Sequence, residues 1–373
     1  MLCKNSFKIA VGIFRGYFSP IVFAVGLFGN VFVILTFTSK PLRNRFAIYS
    51  VFLAGSNIVI LTVGTLIDDF TGRGLAFAIF GRCDIYLFKL DTVSDFSCKL
   101  IQYLPETMYF ISSWLFVAFS LDRLLTIYKP VQFFSNQHSK VSLFVCILVT
   151  VIGSLMSIPI ILSSGLKITT SYNITYKKCD VLAESSYLAS RIALYMKVVV
   201  SFIVPILIVL VINCVIIGKL WEIKRKRMML ISKNRRQSGL EMNRIIGYLI
   251  VSSCFLLLVF PLIIIMIIRL WWSDKKVKNS QEREQVEILG DLSRLFASVK
   301  DINYAVDFYI YLLFLNNFKW NFLNRILGIV SCLNLNIFNQ WKEFVEYQIF
   351  GENSKPKTSN SSLKATKIME TKN

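Results

Sequence analysis

Residues 245–270 read IIGYLIVSSCFLLLVFPLIIIMIIRL, with a single charge, Arg269, next to the last position. A helix rises 1.5 Å per residue, so crossing a hydrocarbon core of about 30 Å takes roughly 20 apolar residues. This run is long enough, and it is apolar on every side, unlike the one-sided stripe of a soluble surface helix. Working outward from it, further spans are expected at Tyr17–Thr38, Ala47–Ile67, Leu100–Ile127, Val141–Ser163, Ile192–Ile217 and Leu295–Leu315, the last interrupted by Lys300, Asp301 and Asp307. Of the 373 residues, 55% are hydrophobic and only 17% are charged. That balance argues against disorder. It also argues against nucleic acid as a partner, whose basic residues would lie on a folded surface. The expectation is an all-α membrane protein, a seven-transmembrane helix bundle with the lipid bilayer as its solvent.

The net charge of +20 is distributed unevenly. Lys and Arg concentrate in short cytoplasmic loops. The loop after the first span carries Lys40, Arg43 and Arg45, and the loop after the fifth carries a dense run from Lys219 to Arg244. The loop after the second span is acidic, with Asp68, Asp69, Asp84, Asp91 and Asp95. Lys4, Lys8 and Arg15 before the first span argue the other way. The larger excess places the amino terminus outside and the carboxyl terminus in the cytoplasm. Residues 1–16 then form an extracellular amino terminus, 17–315 the bundle, 316–331 an amphipathic cytoplasmic helix, and 332–373 a tail, disordered from about 353. No cleavable signal peptide is evident, so the first span is expected to direct its own insertion. Asn173-Ile174-Thr175 is a glycosylation sequon on the outside, whereas the one at Asn360 falls in the inner tail.

The motifs inside the spans narrow the class. Gly29-Asn30-Val31-Phe32-Val33 resembles the G-N-x-x-V signature of rhodopsin-like G-protein-coupled receptors, and Leu53-Ala54-Gly55-Ser56-Asn57 their L-A-x-x-D, with Asn57 for the acid. Cys98, Asp122-Arg123 and Pro130 resemble the cysteine, D-R-Y and proline of their third helix. Pro205 and Pro261 fall where that family bends its fifth and sixth helices. Asp307-Phe308-Tyr309-Ile310-Tyr311 looks like N-P-x-x-Y, followed by Phe318-Lys319 of an amphipathic helix.

The resemblance implies roles. Cys98 and Cys179 match the family's outer disulfide. Cys3 and Cys83 are candidates for a second. Asn30, Asn57, Ser112, Asn303 and Asp307 match a polar pocket between helices. That pocket either holds a sodium ion, the one cofactor implied, or is a hydrogen-bond cluster that needs no cation. Arg123, held by Asp122 and Glu241 in a closed state, would be released to meet a heterotrimeric G protein when helix six opens, with Tyr311 in the same switch. The alternative is a static ion pair. Cys332, just past the amphipathic stretch, is a palmitoylation candidate, or simply a free thiol. The Ser- and Thr-rich tail is a candidate arrestin-docking segment, or a merely solvated one.

Several residues depart from the family pattern. Val259 and Phe260 precede Pro261 without the usual aromatic, Val149 and Thr150 stand where helix four has a tryptophan, Asn213 replaces a tyrosine, and Phe308 replaces the helix-seven proline. Pro105 occupies the place of the amine receptors' acid, which disfavours a monoamine. In the register of Tyr311, Asp301 occupies the place of the opsin lysine. Lys300, one residue or about 100° away, is expected to point elsewhere. The candidate ligand pocket is Glu106, Lys197, Lys300 and Asp301. Glu106 and Lys300 could equally neutralise one another. Long charged outer loops suit a peptide, and helix three is similar to invertebrate neuropeptide receptors of the FMRFamide and thyrotropin-releasing-hormone-like groups. The expected function is therefore a plasma-membrane receptor for an extracellular peptide. The alternatives are a receptor for a non-peptide small molecule, a constitutively active receptor and, more remotely, a channel or transporter. No enzyme is expected: the only histidine, His138, has no nucleophile or metal-ligand spacing around it.

Overall fold

The computed structural model describes residues 6–38, 45–83, 89–128, 138–171, 174–181, 192, 195–229, 235–273 and 280–332. Residues Met1–Lys319 form one compact unit and Trp320–Asn373 a second. In chain order the first unit contains α1 (Ser6–Thr38), α2 (Arg45–Phe80), α3 (Asp95–Tyr128) and α4 (Lys140–Ser163). A hairpin follows, β1 (Ser164–Ser171) and β2 (Ile174–Val181). Next come α5, in which Met196–Ile203 runs into Val204–Met229, and α6 (Arg235–Ser273). Helix α7 is divided into Ser280–Lys300 and Asn303–Phe314. Helix α8 (Asn316–Cys332) begins in the first unit and continues into the second. Among the described residues, six helices carry stretches long and apolar enough to cross a membrane. Helix α7 does not, because its outer turns are charged.

Several helices begin earlier or end later than expected, α5 running to Met229 and α6 from Arg235 to Ser273. Helix α1 starts at Ser6 rather than Tyr17, α2 runs to Phe80 rather than Ile67, α3 starts at Asp95 rather than Leu100, and α7 at Ser280 rather than Leu295. The outer turns of α1 and α2 are joined along glycines. A Cβ on Gly74 would lie 2.3 Å from the Arg15 carbonyl oxygen, and one on Gly12 2.5 Å from the Phe77 ring. Small residues let helix backbones approach closely enough for dispersion contacts to hold them. The charges that marked these turns as loop are spent inside the structure. Arg15 Nη2 lies 3.1 Å from Asp69 Oδ1, and its Nε donates to Ser298 Oγ at 3.1 Å. Ser298 Oγ donates to Asp69 Oδ2 at 2.6 Å, so α1, α2 and α7 share one buried polar knot. Lys8 pairs with Glu287 farther out.

The backbone departs from regular α geometry in three places that matter. Ile60–Gly74 and Met196–Ile203 have wide, π-type turns. The second precedes Pro205, whose missing N–H and bulky ring would disrupt a regular turn there. In α7 the bonds Asp301 N–H to Ser298, Ile302 to Val299, Tyr304 to Asp301 and Ala305 to Ile302 all close three-residue turns, at 3.0–3.2 Å. The hairpin is the one β element among the described residues and was not expected. It pairs Leu166 with Cys179, and Cys179 is disulfide-bonded to Cys98 at the start of α3. Asp95 accepts the Leu166 N–H at 3.3 Å, a second tie to α3.

Candidate functional site

One end of the bundle interior is built around adjacent opposite charges on α7. Lys300 is only 4% exposed, and its Nζ lies 2.8 Å from Asp301 Oδ1 and 3.5 Å above the Tyr109 ring. Asp301 also accepts from Thr65 of α2 at 2.8 Å and from Tyr109 of α3 at 3.4 Å. The expectation that Lys300 turns away from Asp301 is therefore overturned. The 100° step belongs to a regular α-helix, and the tight turns at residues 301–302 break that register, so both side chains enter the interior. Lys300 takes Asp301 as its near partner. Glu106 is on α3 beside this pair; the side chain of Lys197 lies outside the described residues. Thr65, Tyr109 and Tyr304, which also borders Lys300, escaped the sequence reading because uncharged residues in a span look like packing.

The acidic outer surface is corrected as well. Asp68 and Asp69 belong to α2, where Asp68 pairs with Arg73 at 3.0 Å. Asp91 is buried against Lys89 at 3.2 Å, burial raising its carboxyl pKa while the ammonium opposes that shift. Asp95 pairs with Lys99 at 2.7 Å. Asp84 lies outside the described residues. Each described acid thus already has a basic partner, and the loop is not a free anionic face. Nor is the third outer connection long, since α7 already begins at Ser280.

Midway through the bundle, Asn57 Nδ2 donates to Asp307 Oδ2 at 3.1 Å and approaches Asn30 Oδ1 at 3.2 Å. Asn30 in turn donates to the carbonyls of Gly26 and Tyr304, at 2.8 Å each. Ser112 and Asn303 are buried in the same interior. Asn57 Oδ1, Ser112 Oγ, Asp307 Oδ1 and both side-chain polar atoms of Asn303 have no hydrogen-bond partner among the described residues. Buried polar atoms are seldom left so. A carboxylate oxygen, an amide oxygen and a hydroxyl are the hard donors that suit a small cation and its water. The residues fit such an ion.

At the other end, Asp122 Oδ1 is taken by Arg45 at 2.8 Å, and Arg45 reaches Thr126 at 3.4 Å. Arg123 is 3.9 Å from Asp122 Oδ2, and its guanidinium lies over the rings of Phe119 at 5.1 Å and Phe46 at 5.5 Å. Arg45, read from sequence only as a topology charge, is therefore the near partner of Asp122. Glu241 is in α6, with its side chain outside the described residues. Tyr311 packs edge-on to Phe46 at 5.5 Å and to Phe318 at 5.8 Å. Phe308 takes the space left by Gly29, where a Cβ would come within 2.8 Å of its own.

A model described as 7 transmembrane receptor (rhodopsin family) matches residues 29–302. The chain belongs to that family. The receptor is 23% identical over 202 residues to the allatostatin-A receptor of Bombyx mori, covering 53% of this chain and 51% of that one. It is 26% identical over 231 residues to the B1 bradykinin receptor of Macaca fascicularis, covering 60% of each. It is 22% identical over 224 residues to the galanin-like G-protein coupled receptor npr-9 of Caenorhabditis elegans, covering 59% of this chain and 49% of that one. The matches thus span about half to three fifths of these relatives. As a rhodopsin-family receptor the protein is not an enzyme, and it is a multi-pass membrane protein. Cys83 of the receptor is disulfide-bonded, while Cys3 lies outside the described residues. So do Asn173, between the two strands, the side chain of Cys332 and the tail.

Proposed function

We propose that the receptor sits in the plasma membrane with its amino terminus outside, binds an extracellular peptide above Lys300 and Asp301, and activates a heterotrimeric G protein when α6 moves away from Arg123. The observation that carries this reading is the placement of charge. One buried pair sits between Thr65 and Tyr109 in the outer half of the bundle. One arginine rests on an aromatic shelf at the opposite end, and the Asn57–Asp307 cluster lies between them. A ligand that bears on one end biases the other only if the bundle has two packings of different affinity for it. The names of the relatives support a peptide, as does Pro105 where amine receptors carry an acid. Glycosylation of Asn173, palmitoylation of Cys332, Glu241 as a closed-state partner of Arg123, Lys197 as a pocket residue and arrestin docking on the tail belong to the same proposal. The test is G-protein activation in cells against a neuropeptide library, with Arg123→Ala at matched surface level. A peptide response that disappears in the variant is the expected result. A peptide-evoked ionic current without nucleotide exchange would sink the proposal.

The same proposal places a sodium ion among Asn57, Ser112, Asn303 and Asp307, where its charge would offset that of the carboxylate. The purified receptor without ligand should then unfold at a higher temperature in sodium chloride than in choline chloride of equal strength. Asp307→Asn should erase that difference. Equal midpoints in the two salts for the unsubstituted receptor would leave only the hydrogen-bond cluster.

A further inference from the structure

Asn213 in α5 and Ser252 in α6 face one another in the cytoplasmic half of the bundle, 5% and 6% exposed. Asn213 Nδ2 donates to Ser252 Oγ at 2.9 Å, and Ser252 Oγ is 3.2 Å from Asn213 Oδ1. The hydroxyl has a single proton, for which Asn213 Oδ1 and the Leu249 carbonyl of its own helix, also 3.2 Å away, compete. The bond from Asn213 persists in both arrangements. The two residues line a small cavity with Phe116, Phe119, Ser120 and Arg123. The packing is unequal: α6 lies more closely along α7 than along α5, and only lightly on α3, whereas α5 packs closely on α3. This pair is a polar fastening between α5 and α6.

We infer that the Asn213–Ser252 pair is a latch that holds α6 shut over Arg123. It rests on the reading that α6 opens to admit a G protein, and it names what restrains that opening in this chain. Closed, each side chain supplies the other's hydrogen bond in an apolar interior, where water cannot replace it. When α6 swings out, Ser252 leaves with it, and the Asn213 carboxamide faces the cavity that contains the Arg123 guanidinium. The partner exchange gives the element two satisfied arrangements, as a switch requires. Hydrogen bonds between membrane helices average about 0.6 kcal/mol and reach about 1.7, so losing this one should shift the open population roughly 3-fold to 20-fold.

The experiment uses the full chain in detergent or nanodiscs without ligand. Spin labels are attached through p-azidophenylalanine at Leu125 in α3 and Arg244 in α6, and pulsed electron resonance reads the distance between the two helices. Nucleotide exchange on an added G protein is read in parallel. Ser252→Ala should enlarge the long-distance population about 3-fold to 20-fold and raise ligand-free exchange with it, and Ser252→Thr, which keeps the hydroxyl, should restore the short distance. An unchanged distance distribution in Ser252→Ala overturns the latch. A longer distance without exchange keeps the latch and overturns the G-protein reading. Should Ser252→Ala not fold, Asn213→Leu breaks the same pair from α5 and is judged by the same distances.

Discussion

Asp301→Ala should remove nearly all folded receptor from the cell surface. The substitution leaves the Lys300 ammonium buried without the carboxylate that lies 2.8 Å from it. Breaking a buried ion pair from one side costs about 3–5 kcal/mol, against a total stability of roughly 5–15 kcal/mol. Thr65 and Tyr109 lose an acceptor at the same time. Replacing both charged residues is a different matter, because two apolar side chains of similar volume restore a dry, neutral interior. The double variant Lys300→Met/Asp301→Leu should regain surface delivery and melting temperature while remaining unresponsive to peptide. Surface immunodetection and thermal unfolding check the first part. An Asp301→Ala receptor that reaches the surface and melts like the parent would show that the pair carries little of the fold.

Asp69→Ala is expected to act nearly as strongly, from the other side of the same helix interface. Arg15 would lose its carboxylate, and Ser298 the acceptor of its 2.6 Å bond. An arginine near a membrane surface commonly escapes by stretching its stem toward water. Here the backbone carbonyl of Arg15 is pressed against Gly74, which fixes the root of the side chain and limits that escape. The charge therefore stays where it is, at a loss of about 3–5 kcal/mol. Exchanging the partners, Arg15→Asp with Asp69→Arg, should recover part of the lost surface level because the pair re-forms with its polarity reversed. A double-mutant cycle on melting temperature measures the coupling. Additive effects of the two single substitutions would mean that the two charges do not act together.

The spans were legible because bilayer thickness sets a length that Ile245–Leu270 and its counterparts meet on their own. Their outer limits were not. Arg15 and Asp69 read as charges outside the spans, yet each occurs on a helix packed against the one that carries its partner, and pairing across helices has no signature in either helix alone. Lys300 failed for a local reason: the 100° rule holds for a regular helix, and nothing in Val299–Ile302 announces three-residue turns. The hairpin did leave a signal, the β-branched and aromatic residues Ile168, Thr169, Thr170, Ile174, Thr175 and Tyr176 on either side of Tyr172-Asn173, which a search for apolar runs passes over. The midbundle cluster was readable because Asn57 and Asp307 stand out as polar residues in spans. Arg45 was counted toward topology, and its tie to Asp122 depends on how α2 and α3 lie together. Asn213 was noticed only as the absence of a tyrosine, and Ser252 gave no reason to pair the two.

The break at Asp301-Ile302 also has a mechanical meaning. The segment Asn303–Phe314 beyond it is a stiff arm of 12 residues, about 18 Å long at 1.5 Å per residue. With its fulcrum at the break, a turn of about 10° would carry the far end roughly 3 Å, on the scale of the helix shifts by which interfaces switch. Phe308 against Gly29, and the bond from Asn30 to the Tyr304 carbonyl, form a bearing on α1 that guides the arm along one side. Lys300 is next to the fulcrum and Phe318 lies past the tip, beside Tyr311. Small travel at the charged end of this lever would become larger travel among the rings near Arg123.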